Sequence, residues 1–275
     1  MSSPPTARET TSSVDSQIWQ RGFFVLFRRE LRTWWFTRKL LLSLILWTVL
    51  INVLPLIGSG MTVSKTVGGT TTTTEGIYLP FSVWTSLPMF AAIITMQGAI
   101  ADERKSGILS WILSKPIVRS AFYLAKLLAN ALARFLIIVL LQGVLAYGIF
   151  VIRGGSVNLP GFIAALLLVS LVLLFYISLT MMLDAILSNR SLAIAIPMLV
   201  LIGGAIAPVA LLIIFKRPDL VEFLLKVTPW GLTSSSLGQL AAGKPLPEIA
   251  STLTTALWTV AFTAIGIWHF SRQEI

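Results

Sequence analysis

Six stretches of the chain are almost uninterruptedly apolar: Leu40–Gly58, Phe81–Ala101, Ala121–Ile152, Leu159–Leu187, Leu192–Phe215 and Thr252–Phe270. A helix rises about 1.5 Å per residue and bilayer hydrocarbon is about 30 Å thick, so roughly 20 such residues cross it. The pattern therefore predicts an all-α integral membrane protein with six transmembrane helices. The pieces between the runs are too short to fold as soluble domains, which rarely hold together below about 40 residues. The third run is long enough that its first turns are expected to project beyond the hydrocarbon. The fifth contains Pro197, Gly203, Gly204 and Pro208, which predict a kinked or broken helix.

The flanks carry patterns of their own. Residues 1–17 are rich in Ser, Thr and Pro and read as a disordered cytoplasmic tail. Residues 18–39 read as an amphipathic interfacial helix. At 100° per residue Phe23, Phe24, Phe27, Leu31, Trp34 and Trp35 share one arc, and Arg21, Arg28, Arg32 and Lys39 the opposite one. The aromatic side is expected among acyl chains and the arginines among phosphates, making membrane lipids a partner. The third division, 40–275, holds the six spans. Within it, Ser59–Pro80, with threonines at Thr70–Thr74, reads as an extracytoplasmic loop with strand character. The segment 216–251 reads as an outer re-entrant loop. There Leu220, Phe223, Leu224 and Val227 recur at helical spacing, and a second apolar patch follows at Leu237–Ala242. Two short helices dipping into the outer leaflet are expected.

Composition agrees with this layout and narrows the chemistry. Of 275 residues 56% are hydrophobic and 12% charged, with a mean hydropathy of +0.86. Soluble domains carry about 25% charged residues, so a water-soluble globule is excluded. Cysteine is absent and His269 is the single histidine, which removes thiolate metal sites, disulfides and haem-binding histidine pairs. A net charge of +10 suggests nucleic acid until its distribution is followed. Thirteen of the 21 Lys and Arg residues fall before the first run, between the second and third, after the fourth or at the C-terminus, against six in the other connections. The charge thus follows the membrane, and no nucleic-acid partner is expected. The positive-inside rule places both termini in the cytoplasm of a multi-pass protein of the cell membrane. The first run starts late and lacks a small-x-small cleavage pattern, so it reads as a span and not as a signal peptide.

The most informative stretch is the cytoplasmic loop 102–119. Charged residues open it at Asp102-Glu103-Arg104-Lys105; a short helix with Ile108, Leu109, Ile112 and Leu113 on one side is expected next, ended by Pro116. A small apolar knob ringed by charge suits docking into a groove on a cytoplasmic partner. The run Glu103-Arg104-x-x-Gly107-x-Leu109-x-x-Leu113-Ser114-x-Pro116-Ile117-x-Arg119, with Lys126 seven residues on, resembles the signature of permease subunits of type-2 ABC exporters. There "E-R-x-x-G-T-L" leads into "L-S-x-P-I-x-R" and then a lysine; Ile108 replaces the threonine. The resemblance implies a permease half that pairs with a second copy or close relative. It further implies that Glu103, Arg104, Gly107, Leu109, Leu113, Pro116 and Arg119 form a coupling helix engaged by separate cytoplasmic ABC ATPases. On this view no cofactor is bound by this chain, ATP and Mg belong to the partner ATPase, and the chain is not itself an enzyme. Asn52 and the Gly203-Gly204 pair are expected at a dimer seam or along the pathway.

Other polar residues weigh less. Gly238 to Pro245 matches a phosphate-loop pattern except that Pro245 stands where a magnesium-binding hydroxyl belongs, and a nucleotide site is not expected there. Arg134 and Asp184 fall near the cytoplasmic interface, either paired or snorkelling to water. Asn52, Gln97, Asn130 and Gln142 are expected to bond between helices rather than line a path. His269 is read as interfacial. Two other classes stay open: a membrane-embedded lipid-modifying enzyme, for which convergent polar groups are lacking, and a non-transporting membrane anchor for an ATPase.

Overall fold

The computed structural model describes residues 7–35, 38–53, 66–67, 70–71, 82–96, 98–107, 118–152, 158–187, 189–245 and 249–272. The elements in chain order are α1 (Ala7–Trp35), α2 (Arg38–Thr48, prolonged by a π-helical turn Val49–Val53), α3 (Leu87–Met96), α4 (Ala101–Lys105), α5 (Arg119–Arg134), a π-helical segment Phe135–Leu140, α6 (Leu141–Ile152), α7 (Leu159–Ile186), α8 (Arg190–Ile213), α9 (Pro218–Val227), a 3₁₀ turn Pro229–Gly231, α10 (Ser234–Ala241) and α11 (Ile249–Arg272). The Thr-rich segment contributes one antiparallel pairing of two-residue strands, Thr66–Val67 with Thr70–Thr71. The described residues are otherwise all-α in their regular structure.

Five of the six expected spans are long and apolar enough to cross a bilayer: Ser82–Lys105, Arg119–Ile149, Leu159–Ile186, Ser191–Ile213 and Ile249–Arg272. The first run gives a shorter apolar helix over Leu41–Val53, and the rest of it, 54–58, lies outside the described residues. The interfacial-helix reading changes in two respects. The helix starts at Ala7, so helix replaces tail over most of 1–17. The aromatic arc also divides: Phe23, Phe27 and Trp34 pack against the hydrophobic core, whereas Phe24 is 65% exposed. The reason is the neighbour. α1 lies along α5 and is bonded to it through Trp19 to Ser120, Glu30 to Lys126 and Trp34 to Asn130.

α7 is the hub, packing against α3, α8, α10 and α11. Where α11 crosses α5, Gly266 leaves no room for a β-carbon: one placed there would meet the Tyr123 hydroxyl. Phe122 stacks on Phe270 at the same crossing, with ring centroids 5.6 Å apart. The expected break in the fifth run does not occur. α8 is continuous through Pro197 and Pro208, because neighbouring groups can re-satisfy the carbonyls a proline frees. The expected pair of short helices in 216–251 is α9 and α10. The phosphate-loop pattern falls on the end of α10, closed by bonds from the Gly243 and Lys244 amides to the Leu240 and Gln239 carbonyls. Helix precedes it where a nucleotide-binding loop needs a strand.

Candidate functional site

Four elements meet at one end of the bundle: α1, α4, α5 and α7. The sequence explains why α4 starts and stops where it does. Its first amides would be unsatisfied at a buried helix start, and no residue beside it caps them. Asp184, on α7, supplies the acceptor. Its carboxylate is fully buried and takes hydrogen bonds from the backbone N–H of Gly98 (2.9 Å), Ile100 (2.7 Å) and Ala101 (3.2 Å). Negative charge at a helix start is favoured electrostatically as well. At the other end Gly107 has φ +73°, the left-handed conformation that closes helices and favours glycine.

The charged opening of the loop is then fixed from two sides. Lys126 of α5 donates to Glu103 at 2.8 Å and to Glu30 of α1 at 3.4 Å. Its ammonium also lies 5.5 Å from the Phe122 ring centroid. Arg104 donates to the Ala185 carbonyl at 3.4 Å, and Arg119 to the Ser271 carbonyl at 3.2 Å. The Trp19 indole donates to Ser120 and the Trp34 indole to Asn130, each at 3.1 Å. Partners this close offset the cost of taking charged groups out of water. The geometry therefore ties the loop opening to α1, α5, α7 and α11 as one unit. Its chemistry is positional. It offers no nucleophile and base in contact, and among the described residues no group of three or more His, Asp or Glu gathers as metal ligands.

Of the residues read from sequence, the structure places Glu103 and Arg104 on α4, Gly107 just after it and Arg119 at the start of α5. Leu109, Leu113 and Pro116 lie outside the described residues, as do the side chains of Trp35 and Gln97. The helix expected after Gly107 lies outside the described residues, and α4 is the described helix that precedes it. Arg28 and Arg32 are exposed on α1. Arg134 and Asp184 do not pair: Arg134 bonds to Asn130 and Thr95, and Asp184 to the amides above. Arg272 lies over the Trp268 ring beside His269, 4.5 Å from its centroid.

The residues expected at a seam have other duties within the chain. Asn52 is buried and donates to Gln142 at 2.7 Å. Gly203 and Gly204 seat the Trp230 indole, whose Nε1 donates to the Val200 carbonyl at 3.0 Å. A β-carbon at Gly204 would fall 2.5 Å from the ring. Within the chain these glycines make room for the 3₁₀ turn.

Sequence reasoning missed Glu30 and found Asp184 without its role. Glu30 stands on the aromatic arc of α1, three helical turns from Trp19, where an acid signals an internal partner. Asp184 was visible as the one acid inside an apolar run, and its burial in a span was the available signal.

Residues 24–275 match the family model described as ABC-2 family transporter protein. No curated protein matches the chain.

Proposed function

This chain belongs to the ABC-2 family of transporter proteins, as a multi-pass membrane component of an ABC transporter, and we propose that it is the permease subunit of an exporter. In this reading two permease halves form the pathway, and separate cytoplasmic ATPases, carrying ATP and Mg, drive it. Both termini face the cytoplasm of the cell membrane. The chain performs no chemistry itself.

The observation that carries the reading is the way the loop opening is built. Asp184, Lys126 and Glu30 hold Glu103 and the start of α4 against the spans α5 and α7 and against α1. A force applied to the loop from outside is therefore delivered to α5 and α7 together. Packed elements move as units rather than deforming continuously, so such a load produces rigid-body rocking. Gly107, at the turn out of α4, stands where a docking segment needs a fixed direction.

The test uses the permease co-expressed and purified with its ATPase. Gly107→Pro forces φ to about −65° where +73° is needed. It is expected to leave insertion intact and to abolish ATPase stimulation by the permease; stimulation at the wild-type level would reject the coupling role. Export is tested by loading inverted vesicles, and uptake into them on adding ATP is the expected sign. Topology is read from labelling in this cysteine-free chain: Ser114→Cys should resist an impermeant maleimide in intact cells and Thr72→Cys should react.

A further inference from the structure

Two basic side chains are buried among the described residues, and they are compensated differently. Lys126 meets two carboxylates. Arg134, 3% exposed, meets only neutral groups. Its Nη1 donates to the Asn130 carbonyl at 3.2 Å and to Asn130 Oδ1 at 3.4 Å, and lies 3.4 Å from Met96 Sδ. Its Nη2 donates to Thr95 Oγ1, and the guanidinium sits over the Trp34 ring, 5.0 Å from its centroid. A guanidinium has five N–H donors, and these bonds leave its Nε–H without an acceptor among the described residues. Hydrogen bonds to neutral acceptors and a stacked indole orient a cation but do not neutralise it. A cation at membrane depth is costly enough to mark a functional position, with a partner to be sought.

The place for that partner is beside it. A half-open cavity of about 50 Å³ is lined by Arg134, Trp34, Ser43, Trp47 and Thr95. A water needs roughly 10–15 Å³ of such space, so the cavity admits a phosphate group and not a whole headgroup. Its lining is mixed: two indoles, two hydroxyls, one fixed cation and the apolar side chains of Ala91, Ile137 and Ile138. Its depth is also informative. Ser43 stands five residues after Arg38, the basic start of α2, or about 7.5 Å of helical rise. Headgroup phosphates and interfacial indoles sit within that distance of the acyl boundary. On α2, Leu42, Ile45 and Leu46 are exposed, so this wall of the cavity faces the bilayer.

We propose that Arg134 is an anion-binding residue, holding the phosphate of an anionic phospholipid headgroup in the cavity between α1, α2, α3 and α5. The planar guanidinium matches phosphate oxygens in a fork, the Ser43 hydroxyl supplies a further donor, and the indoles of Trp34 and Trp47 line the same cavity. This inference needs only the membrane-embedded fold; it does not depend on export or on the ATPase.

The purified, delipidated protein in neutral detergent is titrated with dihexanoyl phosphatidylglycerol, dihexanoyl phosphatidylcholine and inorganic phosphate, following thermal unfolding and retained ligand by native mass spectrometry. Saturable binding of the phosphatidylglycerol, about tenfold tighter than of the phosphatidylcholine, is expected. Arg134→Met should weaken it at least tenfold, Arg134→Lys by less, and Lys244→Gln should leave it unchanged. Ser43→Asp keeps the proposal testable if Arg134→Met does not fold: a carboxylate placed in the cavity should take the guanidinium, abolish lipid binding and preserve stability. Saturable binding of inorganic phosphate alone, with the same dependence on Arg134, would support the anion site and make soluble phosphate its ligand. Wild-type binding by Ser43→Asp, or equal binding of all three probes, would overturn it.

Discussion

α7 and α8 are near twins in hydropathy and opposites in setting. Their most apolar windows average 2.8 and 2.5, yet 56% of the first is buried inside the molecule and 6% of the second. α7 carries polar groups that are put to use: Ser178 accepts from Thr263, Thr180 bonds back to the Tyr176 carbonyl, and Asp184 holds the start of α4. α8 carries no ionisable group after Arg190 and presents Leu199, Ile202, Ile206 and Val209 outward. Hydropathy reports only that a helix avoids water. In a bilayer, lipid and protein are equally acceptable apolar surroundings, so the polar residues reveal which spans must stay fixed to others.

That contrast can be broken at its strongest points first. The indole of Trp230 fastens α8 to the rest, so Trp230→Ala should cost about 3 kcal/mol or more, the range for emptying a packed aromatic site, and should loosen α8 selectively. Cysteine accessibility along α8 in detergent checks this, and a uniform change over α7 and α8 would refute the fastening. Asp184→Asn keeps the shape but turns a charge-assisted acceptor into a half-donor facing three amides. Roughly 1.5–3 kcal/mol is expected from lost bonds to a charged group, read as a lower unfolding temperature together with lost ATPase stimulation. Asp184→Glu should recover neither, since its carboxylate is displaced by one methylene.

Gly204→Ala sharpens the comparison from the side of α8. The added methyl would stand 2.5 Å from the Trp230 ring, so overpacking of about 1–3 kcal/mol is expected. Adding Trp230→Leu should relieve it, a coupling that a double-mutant cycle measures. Leu199→Ala, on the bare face of α8, should change stability of the isolated chain by less than about 0.5 kcal/mol. A larger loss that appears only in the assembled transporter would place this face, rather than Asn52 or the glycine pair, at the contact between permease halves.

The distribution of apolar runs made most of the fold legible, because span length is a one-dimensional property that hydrocarbon thickness enforces. The short helices α9 and α10 were legible for a similar reason, through the spacing of Leu220, Phe223 and Leu224. What remained hidden were choices between equally apolar neighbours. The aromatic arc of α1 was readable, but its partner was not: Phe23 and Trp34 satisfy the same pattern against α5 as against acyl chains. Gly203 and Gly204 announced a close approach without saying to what. At the candidate site, Glu103, Arg104 and Gly107 were readable through the family resemblance that their run carries. The role of Asp184 was not, because three backbone amides leave no trace in side-chain identity.

The π-helical segment Phe135–Leu140 gives the third span an obligation that its composition conceals. A widened turn takes up one residue more than an α-helix needs, and each residue of α-helix turns the chain by about 100°. The halves on either side are therefore out of phase with a straight helix by that angle. Upstream, Lys126 faces Glu103; downstream, Gln142 faces Asn52, while Trp84 and Gln142 donate to the Ile138 and Ile137 carbonyls within the segment. Removing a single residue here would restore regular winding and swing one of these two partnerships to the far side of the rod. The span is thus measured in azimuth as well as in length.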